Sequence, residues 1–251
     1  MAYETLAVDC RDGILTVHLN RPEAGNVINS LLIAELGRAV AQCEAPDGPS
    51  VLVLGGSAEV FCAGGDFQAT AAADVPEDPE PLYDLWLRLA NGPFVSLAVA
   101  RGRVNAGGVG LAAACDIVLA DGTASFALSE MLFGLFPACV LPFLIRRVGA
   151  QRAHYLTLTT QPVGAAQALA WGLADAVEDP VEPLLRRHLV RLRRLGKPAI
   201  GRYKRHRAET AGPLAEAKPA ALAANRALFG DPQIRENIRR YVTEMKFPWE
   251  E

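Results

Sequence analysis

The chain has 251 residues, of which 51% are hydrophobic, enough for one large α/β domain or for such a domain with an appended helical piece. Its formal net charge is −3, so the field of the whole molecule does not favour nucleic-acid binding. The five cysteines lack C-x-x-C spacing, and neither a signal peptide nor a membrane-spanning stretch is recognisable. We therefore expect reduced thiols, a cytoplasmic location, and neither nucleic acid nor a membrane as a partner.

The first half of the chain predicts strands that alternate with helices. Residues 4–19 predict two strands around a turn, and Asn29 or Ser30 can cap a helix that follows. Further strands are predicted from largely apolar runs at 51–56, 95–104 and 117–120. This order is typical of an α/β fold with a largely parallel sheet and crossover helices.

Two later segments predict different structures. Residues 68–81 are acidic, rich in proline and without periodicity, which indicates a surface loop or a mobile lid. Helices are predicted after Pro137, at 139–148, 150–158, 163–171 and beyond 181. The composition changes near residue 180, so we divide the chain into a core at 1–180 and a C-terminal helical subdomain at 181–251, with trimerisation or lid roles.

The glycine cluster at 105–116, NAGGVGLAAACD, raises the question of phosphate binding. Residues 108–113 satisfy G-x-G-x-x-A, the fingerprint of a dinucleotide-binding turn. That fingerprint needs an acidic residue about 20 positions later to bind the ribose. Asp121 is only 13 residues past Gly108, which leaves too little chain for a crossover helix. A G-K-[ST] phosphate loop is absent from the sequence.

A second glycine pair, in VFCAGGDF at 60–67, follows the 51–56 strand. Two such turns side by side can direct two backbone N–H groups at one point, which is the arrangement of an oxyanion hole for a thioester carbonyl. Glycine suits this role because the backbone must approach the ligand without a Cβ. The residues alone leave open the alternative that the glycines only permit close packing of the turns.

Four motifs occur in an order and at spacings that resemble the crotonase (enoyl-CoA hydratase/isomerase) superfamily; they are RPEAGNVINSLLIAEL, VFCAGGDF, NAGGVGLAAACDIVLAD and SFALSEMLFGLFPA. The resemblance implies a crotonase-type spiral of ββα units, assembled as a trimer or a dimer of trimers, that binds acyl thioesters of pantetheine. It also implies that the amides of Gly65 and Gly107 form the oxyanion hole. Ala63 and Gly64 would line the pantetheine channel.

Hydratases of this superfamily hold a water between two glutamates, and here only one of them is present. The first position falls on Gly110, and the second falls on Glu130. The neighbours of Glu130 are largely apolar, which raises a carboxyl pKa toward neutrality and suits proton transfer. Without the resemblance, the favoured interpretation of Glu130 is an ordinary acidic residue at a helix N-terminus, capped by Ser129.

The run SFALSEMLFGLFPACVLPFLIRRVG and the terminal KFPWEE more narrowly resemble the polyketide β-branching members of the superfamily. The dehydratase type is the closer match, because Glu130 is retained and no lysine precedes Lys197. This resemblance implies dehydration of a 3-hydroxy-3-methylglutaryl thioester carried on the phosphopantetheine of an acyl carrier protein, with no metal and no cofactor of its own. Asp66 would assist or order its loop. The candidates for binding the substrate's free carboxylate are Asn105, Tyr83 and Arg88.

The basic residues between 186 and 207 have three interpretations: a solvated helix face, a surface that steers an acidic carrier protein, or an RNA-binding surface. Three functions also stay open. The first is the carrier-protein-linked dehydratase, the second an isomerase or hydratase acting on free acyl-CoA, and the third an inactive scaffold or RNA-binding module.

Overall fold

The computed structural model describes residues 3–210, 212 and 214–250. Its strands are β1 (Leu6–Arg11), β2 (Ile14–Leu19), β3 (Val51–Gly55), β4 (Val60–Cys62), β5 (Val95–Ala100), β6 (Arg103–Asn105), β7 (Ile117–Ala120), β8 (Ser125–Ala127), β9 (Val163–Gly164) and β10 (Ala176–Val177). Its helices are α1 (Ser30–Glu44), α2 (Phe67–Ala72), α3 (Glu80–Asn91), α4 (Gly107–Ala114), α5 (Leu141–Val148), α6 (Ala150–Thr159), α7 (Ala165–Trp171), α8 (Val181–Leu192), α9 (Lys197–Thr210), α10 (Leu214–Gly230) and α11 (Pro232–Glu244).

The strands form two sheets. The larger sheet has the order β1-β2-β3-β5-β7-β10, in which only the β1–β2 pair is antiparallel. The smaller sheet has the order β4-β6-β8-β9, in which β4, β6 and β8 are parallel. Every residue of β3 and β5 is buried, as expected for strands covered on both faces.

A repeated ββα unit generates this topology. In each repeat the chain passes from the larger sheet to the smaller one and then into a helix, as in β3-β4-α2, β5-β6-α4 and β7-β8-α5. Because successive units stack, β4, β6 and β8 lie side by side and their carboxyl ends meet at one edge. The crotonase-type spiral predicted from the sequence is therefore the observed fold.

The apolar run 95–104, read as one strand, is two strands in different sheets. The chain turns at Gly102, whose φ is +54°, between β5 and β6. A Cβ at Gly102 would overlap the carbonyl oxygen of Glu59, so the turn requires glycine. The run is largely apolar because β5 is buried throughout and Val104 of β6 is buried as well, so hydropathy does not reveal the break.

The segment 68–81 is also more ordered than predicted. Its first residues belong to α2, which Asp66 caps by accepting a hydrogen bond from Ala69 N at 2.9 Å, and its last residues begin α3. The Arg235 guanidinium on α11 donates to the carbonyl oxygens of Ala73 and Asp74. This anchor comes from the far end of the chain, so the local sequence does not reveal it.

The part of the chain after residue 180 is mainly helical, as predicted. α8 packs against the larger sheet through Val181 and Leu184, whereas α11 packs against α2. The boundary at 180, and any trimerisation or lid role for 181–251, stay predictions. Among the helices in the described part of the chain, none has both the length and the apolar character needed to cross a membrane.

Candidate active site

The predicted site residues lie just after the ends of three neighbouring strands. The turn 63–66 follows β4, Ala106 and Gly107 follow β6, and Glu130 comes shortly after β8. Since these strands are adjacent and parallel, the three segments meet at one edge of the smaller sheet. Gly65, Gly107 and Glu130 all line one cavity of about 750 Å³.

The amides of Gly65 and Gly107 are both available to a ligand. The flanking amides of Ala63 and Asp66 donate to Gly25 O and Ile28 O, but in the described part of the chain no acceptor binds the N–H of Gly65. Gly107 is the first residue of α4, so its N–H has no partner within the helix either. The helix dipole adds positive potential at this end.

Ala106, at the N-cap of α4, has an unusual backbone conformation. Its φ is +49° and its ψ is −117°, a region that alanine rarely adopts and that costs about 1–3 kcal/mol. Hydrogen bonds hold it, because its N–H donates to Ala127 O and its carbonyl accepts from Val109 N and Gly110 N. The sequence carries no signal for this strain, which is located where Gly107 enters the cavity.

Glu130 begins a short 3₁₀ helix, Glu130–Phe133, and is the only carboxyl side chain in the described residues whose buried oxygen lacks a partner. Its Oε2 is removed from solvent. Burial raises the pKa of the Glu130 carboxyl to about 7. The alternative in which Ser129 caps this helix is wrong, because the Ser129 side chain makes no cap and its Oγ accepts from Asn105 Nδ2 instead.

The raised pKa of Glu130 predicts a pH-dependent stability. Because the folded protein favours the protonated carboxyl, this group stabilises the fold at low pH and that contribution is lost as pH rises through about 7. Glu130→Gln should therefore exceed the parent in free energy of unfolding by an amount that grows between about pH 5 and pH 8, toward about 3 kcal/mol. Urea unfolding at several pH values measures it. For the exposed Glu209→Gln control, the free energy of unfolding should depend on pH as it does in the parent. The same pH dependence in Glu130→Gln as in the parent would contradict the prediction.

The place of the missing first hydratase glutamate, at Gly110, is filled by an aromatic ring. A Cβ added to Gly110 would lie 2.6 Å from Cζ2 of Trp86, which is closer than real Cβ contacts. Trp86 stands on α3, is 1% exposed, and lines the same cavity as Glu130. Sequence reasoning missed Trp86, because only the packing of α3 on α4 brings it there.

Gly110→Ala is expected to destabilise the fold by about 1–3 kcal/mol, since the added methyl group must displace the Trp86 ring. The loss should shrink when Trp86→Leu is combined with it. Gly230→Ala, at the end of α10 with nothing within 4 Å of the added Cβ, is the matched control. Urea unfolding of the parent, Gly110→Ala, Trp86→Leu, the double variant and the control measures this coupling. A Gly110→Ala variant as stable as the control would refute it.

The other predicted binding residues join the three turns. Asn105 Nδ2 donates to Ala63 O at 3.3 Å and to Ser129 Oγ at 3.0 Å, so one amide connects all three segments. Asn105 Oδ1 is buried and lacks a partner among the described residues. Ala63, Asp66 and Asn105 line the cavity. Gly64 is behind it, with φ +103° and a Cβ position 2.8 Å from Ala106 Cβ.

Two candidates for the substrate's free carboxylate are not at the site. Tyr83 is fully buried and its hydroxyl donates to Leu214 O at 2.8 Å. Arg88 donates to both carboxylate oxygens of Glu44 and to Gly37 O. Neither lines the cavity. Both are anchors of α3, and that helix carries Trp86.

The basic run does not line the cavity of this chain. Lys204 is 2% exposed and pairs with Asp116 at 2.7 Å, and Lys197 donates to carbonyl oxygens at the end of α1. These lysines are structural, and Arg187 pairs with Glu178. At the cavity itself the basic residues are Arg21 and Arg103, which form no ion pair within the described residues.

The C-terminal segment supports the helix that carries Glu130. The Phe133 ring contacts Phe67, Tyr241 and Phe247 at centroid distances of 5.0, 5.0 and 5.7 Å. Asn237 Nδ2 donates to Phe133 O at 3.1 Å. Asn237, Tyr241 and Phe247 therefore support the helix of Glu130 from more than a hundred positions away in sequence.

Comparison with known proteins agrees with this geometry. The profile of the enoyl-CoA hydratase/isomerase family matches residues 9–251. The chain belongs to this family. Membership confirms the predicted superfamily, the crotonase fold and the enzyme class, a hydro-lyase.

One relative and two solved structures describe the similarity. Bacillaene synthase dehydratase PksH of Bacillus subtilis is 47% identical over 256 residues, covering 100% of this chain and 98% of that protein. A Bacillus subtilis crystal structure described as a polyketide biosynthesis enoyl-CoA hydratase superposes with a TM-score of 0.95 at 47% identity, covering 98% of this chain and 100% of that one. An enoyl-CoA hydratase from Mycobacterium avium subsp. paratuberculosis K-10 gives a TM-score of 0.86 at 26% identity, with both chains fully covered.

Proposed function

We propose that this protein is the polyketide β-branching dehydratase that converts 3-hydroxy-3-methylglutaryl-acyl carrier protein to 3-methylglutaconyl-acyl carrier protein. Its similarity to the Bacillus subtilis dehydratase over the whole chain supports a polyketide dehydratase. The observation that carries the proposal is that Glu130 is the one buried acid without a partner among the described residues of the cavity that two free amides line. Trp86 fills the place of a second acid.

The first chemical step uses the two amides. The thioester carbonyl oxygen accepts hydrogen bonds from Gly65 N–H and Gly107 N–H, and the α4 dipole reinforces them. Charge that develops on this oxygen is stabilised, so the proton on C2 of the acyl group becomes more acidic. The same two donors would serve an isomerase or a hydratase, so they do not by themselves select the reaction.

Glu130 then moves one proton between two atoms of the substrate. Its carboxylate takes the C2 proton, and the electron pair of that bond is held as the thioester enolate. The enolate collapses to form the C2=C3 double bond while the C3–O bond breaks, and Glu130 returns its proton to the departing hydroxyl as water. A pKa of about 7 makes both protonation states accessible near neutral pH. One acid on one face of the substrate gives a syn elimination.

Asn105 supplies an acceptor for the hydroxyl that leaves. The orientation of its amide is defined by Ala63 O, which can only accept, so Nδ2 faces that carbonyl and Oδ1 is the free atom. A hydroxyl on C3 can donate to Oδ1 and thereby turn a lone pair toward Glu130. Asp66 orders its turn through Ala69 N and lines the cavity beside Gly65.

The substrate arrives on phosphopantetheine, so the protein needs neither a metal nor a cofactor of its own. Ala63 lines the channel for the pantetheine arm, with Gly64 packed behind that turn, and the unpaired cations Arg21 and Arg103 suit its phosphate. Acyl carrier protein is the proposed partner. A cytoplasmic trimer or dimer of trimers is the proposed state, in which the basic face of α8 and α9 would be available to an acidic carrier.

Intact-protein mass spectrometry tests the function. The purified enzyme is mixed with 3-hydroxy-3-methylglutaryl-carrier protein, and the carrier should lose the mass of one water molecule. Crotonyl-CoA and a 3-enoyl-CoA are tested in parallel. An unchanged cognate carrier together with turnover of either CoA thioester would replace the proposal with the isomerase or hydratase acting on free acyl-CoA.

A further inference from the structure

The wall of the cavity includes a tryptophan, Trp86, whose hydrogen-bond donor has no role in the proposed mechanism. Trp86 Nε1–H is buried, and it has no acceptor in the part of the chain that the structure describes. The side chain is 1% exposed and lines the cavity with Glu130, Gly65 and Gly107. Buried N–H groups are nearly always paired in folded proteins, so an unpaired one at a binding cavity indicates an acceptor that arrives with the ligand.

The Trp86 ring is held firmly in place. It packs edge-on against Phe143 with ring centroids 5.5 Å apart, and its outer edge abuts Gly110 on α4. The helix that carries it is fixed at a neighbouring turn, where Arg88 donates to Glu44 at 2.8 and 2.9 Å. The indole N–H is therefore preorganised, which is the condition for a donor that discriminates between ligands.

The group that Trp86 meets must be an acceptor on the acyl part of the substrate. In the proposed substrate the acyl chain offers three polar groups: the thioester carbonyl, the C3 hydroxyl and the free carboxylate. The amides of Gly65 and Gly107 donate to the thioester carbonyl. Glu130 and Asn105 bind the C3 hydroxyl. The carboxylate remains, and it can only accept.

The other groups considered for this carboxylate do not fit. Tyr83 and Arg88 are committed to protein partners outside the cavity. The free atom of Asn105 is an oxygen, which repels a carboxylate. Arg21 and Arg103 are cations at the cavity, but neither is buried, so they suit the carrier-arm phosphate rather than the enclosed end of the acyl chain.

We propose that Trp86 Nε1–H donates to the free carboxylate of the acyl group and makes Trp86 a specificity-determining residue. This inference rests on the proposed function. It accounts for two features together. The Trp86 ring occupies the place of the missing first hydratase glutamate at Gly110, and its N–H is a donor that hydrocarbon acyl chains cannot satisfy. The site thereby disfavours unsubstituted enoyl thioesters, which leave the indole N–H unpaired.

Binding measurements test the proposal without turnover. On a Glu130→Gln background, calorimetry gives the affinity for 3-hydroxy-3-methylglutaryl-pantetheine phosphate and for 3-hydroxy-3-methylbutyryl-pantetheine phosphate, which lacks the carboxylate. Trp86→Phe should weaken binding of the first by about 10- to 100-fold, the effect of losing a hydrogen bond to a charged group, and change the second much less. Arg103→Gln is the comparator and should weaken both thioesters equally.

Benzothienylalanine at position 86 is the control for misfolding of Trp86→Phe. It keeps the bicyclic shape of tryptophan and has sulfur in place of the N–H group. It should reproduce the carboxylate-selective loss. Equal loss for both thioesters, or a selective loss in Arg103→Gln instead, would overturn the role of Trp86 and leave the dehydratase intact. If neither thioester binds and the carrier-protein assay gives no dehydration, the proposed function itself fails.

Discussion

Glu130→Gln is expected to lower kcat for dehydration by about 10²- to 10⁴-fold, the range for loss of a general acid–base residue. Glutamine keeps the size of the side chain but can neither take the C2 proton nor return it. Substrate affinity should change little, because the carbonyl still reaches the amides of Gly65 and Gly107. Initial rates by mass spectrometry, with carrier-protein concentration varied, separate kcat from KM.

The pH profile adds a second readout for Glu130. Since the carboxylate must be ionised to take the C2 proton, kcat/KM of the parent should rise as pH increases through about 7. Glu23→Gln is the matched control, because Glu23 is a second glutamate that lines the cavity. This variant should retain the rate and the pH profile of the parent. Full activity in Glu130→Gln would remove Glu130 from the mechanism.

Gly65→Ala is expected to lose about 10²- to 10³-fold in kcat/KM, because the thioester carbonyl can no longer reach the Gly65 N–H and the effect equals the loss of one oxyanion-hole donor. The free energy of unfolding should stay unchanged. The protein itself does not require glycine here, because a Cβ at Gly65 meets nothing within 4 Å. Gly65 also lines the cavity. A methyl group there would occupy space that the thioester needs to approach the amide.

Substitutions at two other glycines serve as controls for Gly65→Ala. Gly164→Ala also places a Cβ in open space, but outside the cavity, so both activity and stability should match the parent. Gly64→Ala should destabilise the fold, because Gly64 has φ +103° and its Cβ would lie 2.8 Å from Ala106 Cβ. Activity of Gly65→Ala equal to that of Gly164→Ala would show that the Gly65 amide is not used.

The architecture could be predicted because its signals are local. The turn at Arg11–Gly13, the Asn29 cap and the buried run of β3 each agree with the structure, since turns, caps and hydropathy are read over a few residues. The ordered glycine motifs predicted the family and therefore the spiral, which periodicity alone does not specify. The proximity of Gly65, Gly107 and Glu130 followed from the same motifs.

What the sequence could not reveal depends on contacts between distant segments. Trp86 is 24 residues before Gly110, and only the packing of α3 on α4 brings its ring to that glycine. The order in 68–81 comes from Arg235, and the support of the Glu130 helix comes from Tyr241 and Phe247. The positive φ of Ala106 depends on its hydrogen bond to Ala127, which belongs to the neighbouring strand.

The central claim is that the amides of Gly65 and Gly107 polarise one thioester carbonyl. Isotope-edited infrared spectroscopy of a ¹³C-labelled 3-hydroxy-3-methylglutaryl thioester bound to Glu130→Gln measures this directly, since the acid variant holds the substrate without turnover. Two hydrogen bonds should move the carbonyl stretch to lower frequency than in water, and Gly65→Ala should reverse part of that change. A carbonyl band at its solution frequency in the bound state would contradict the account.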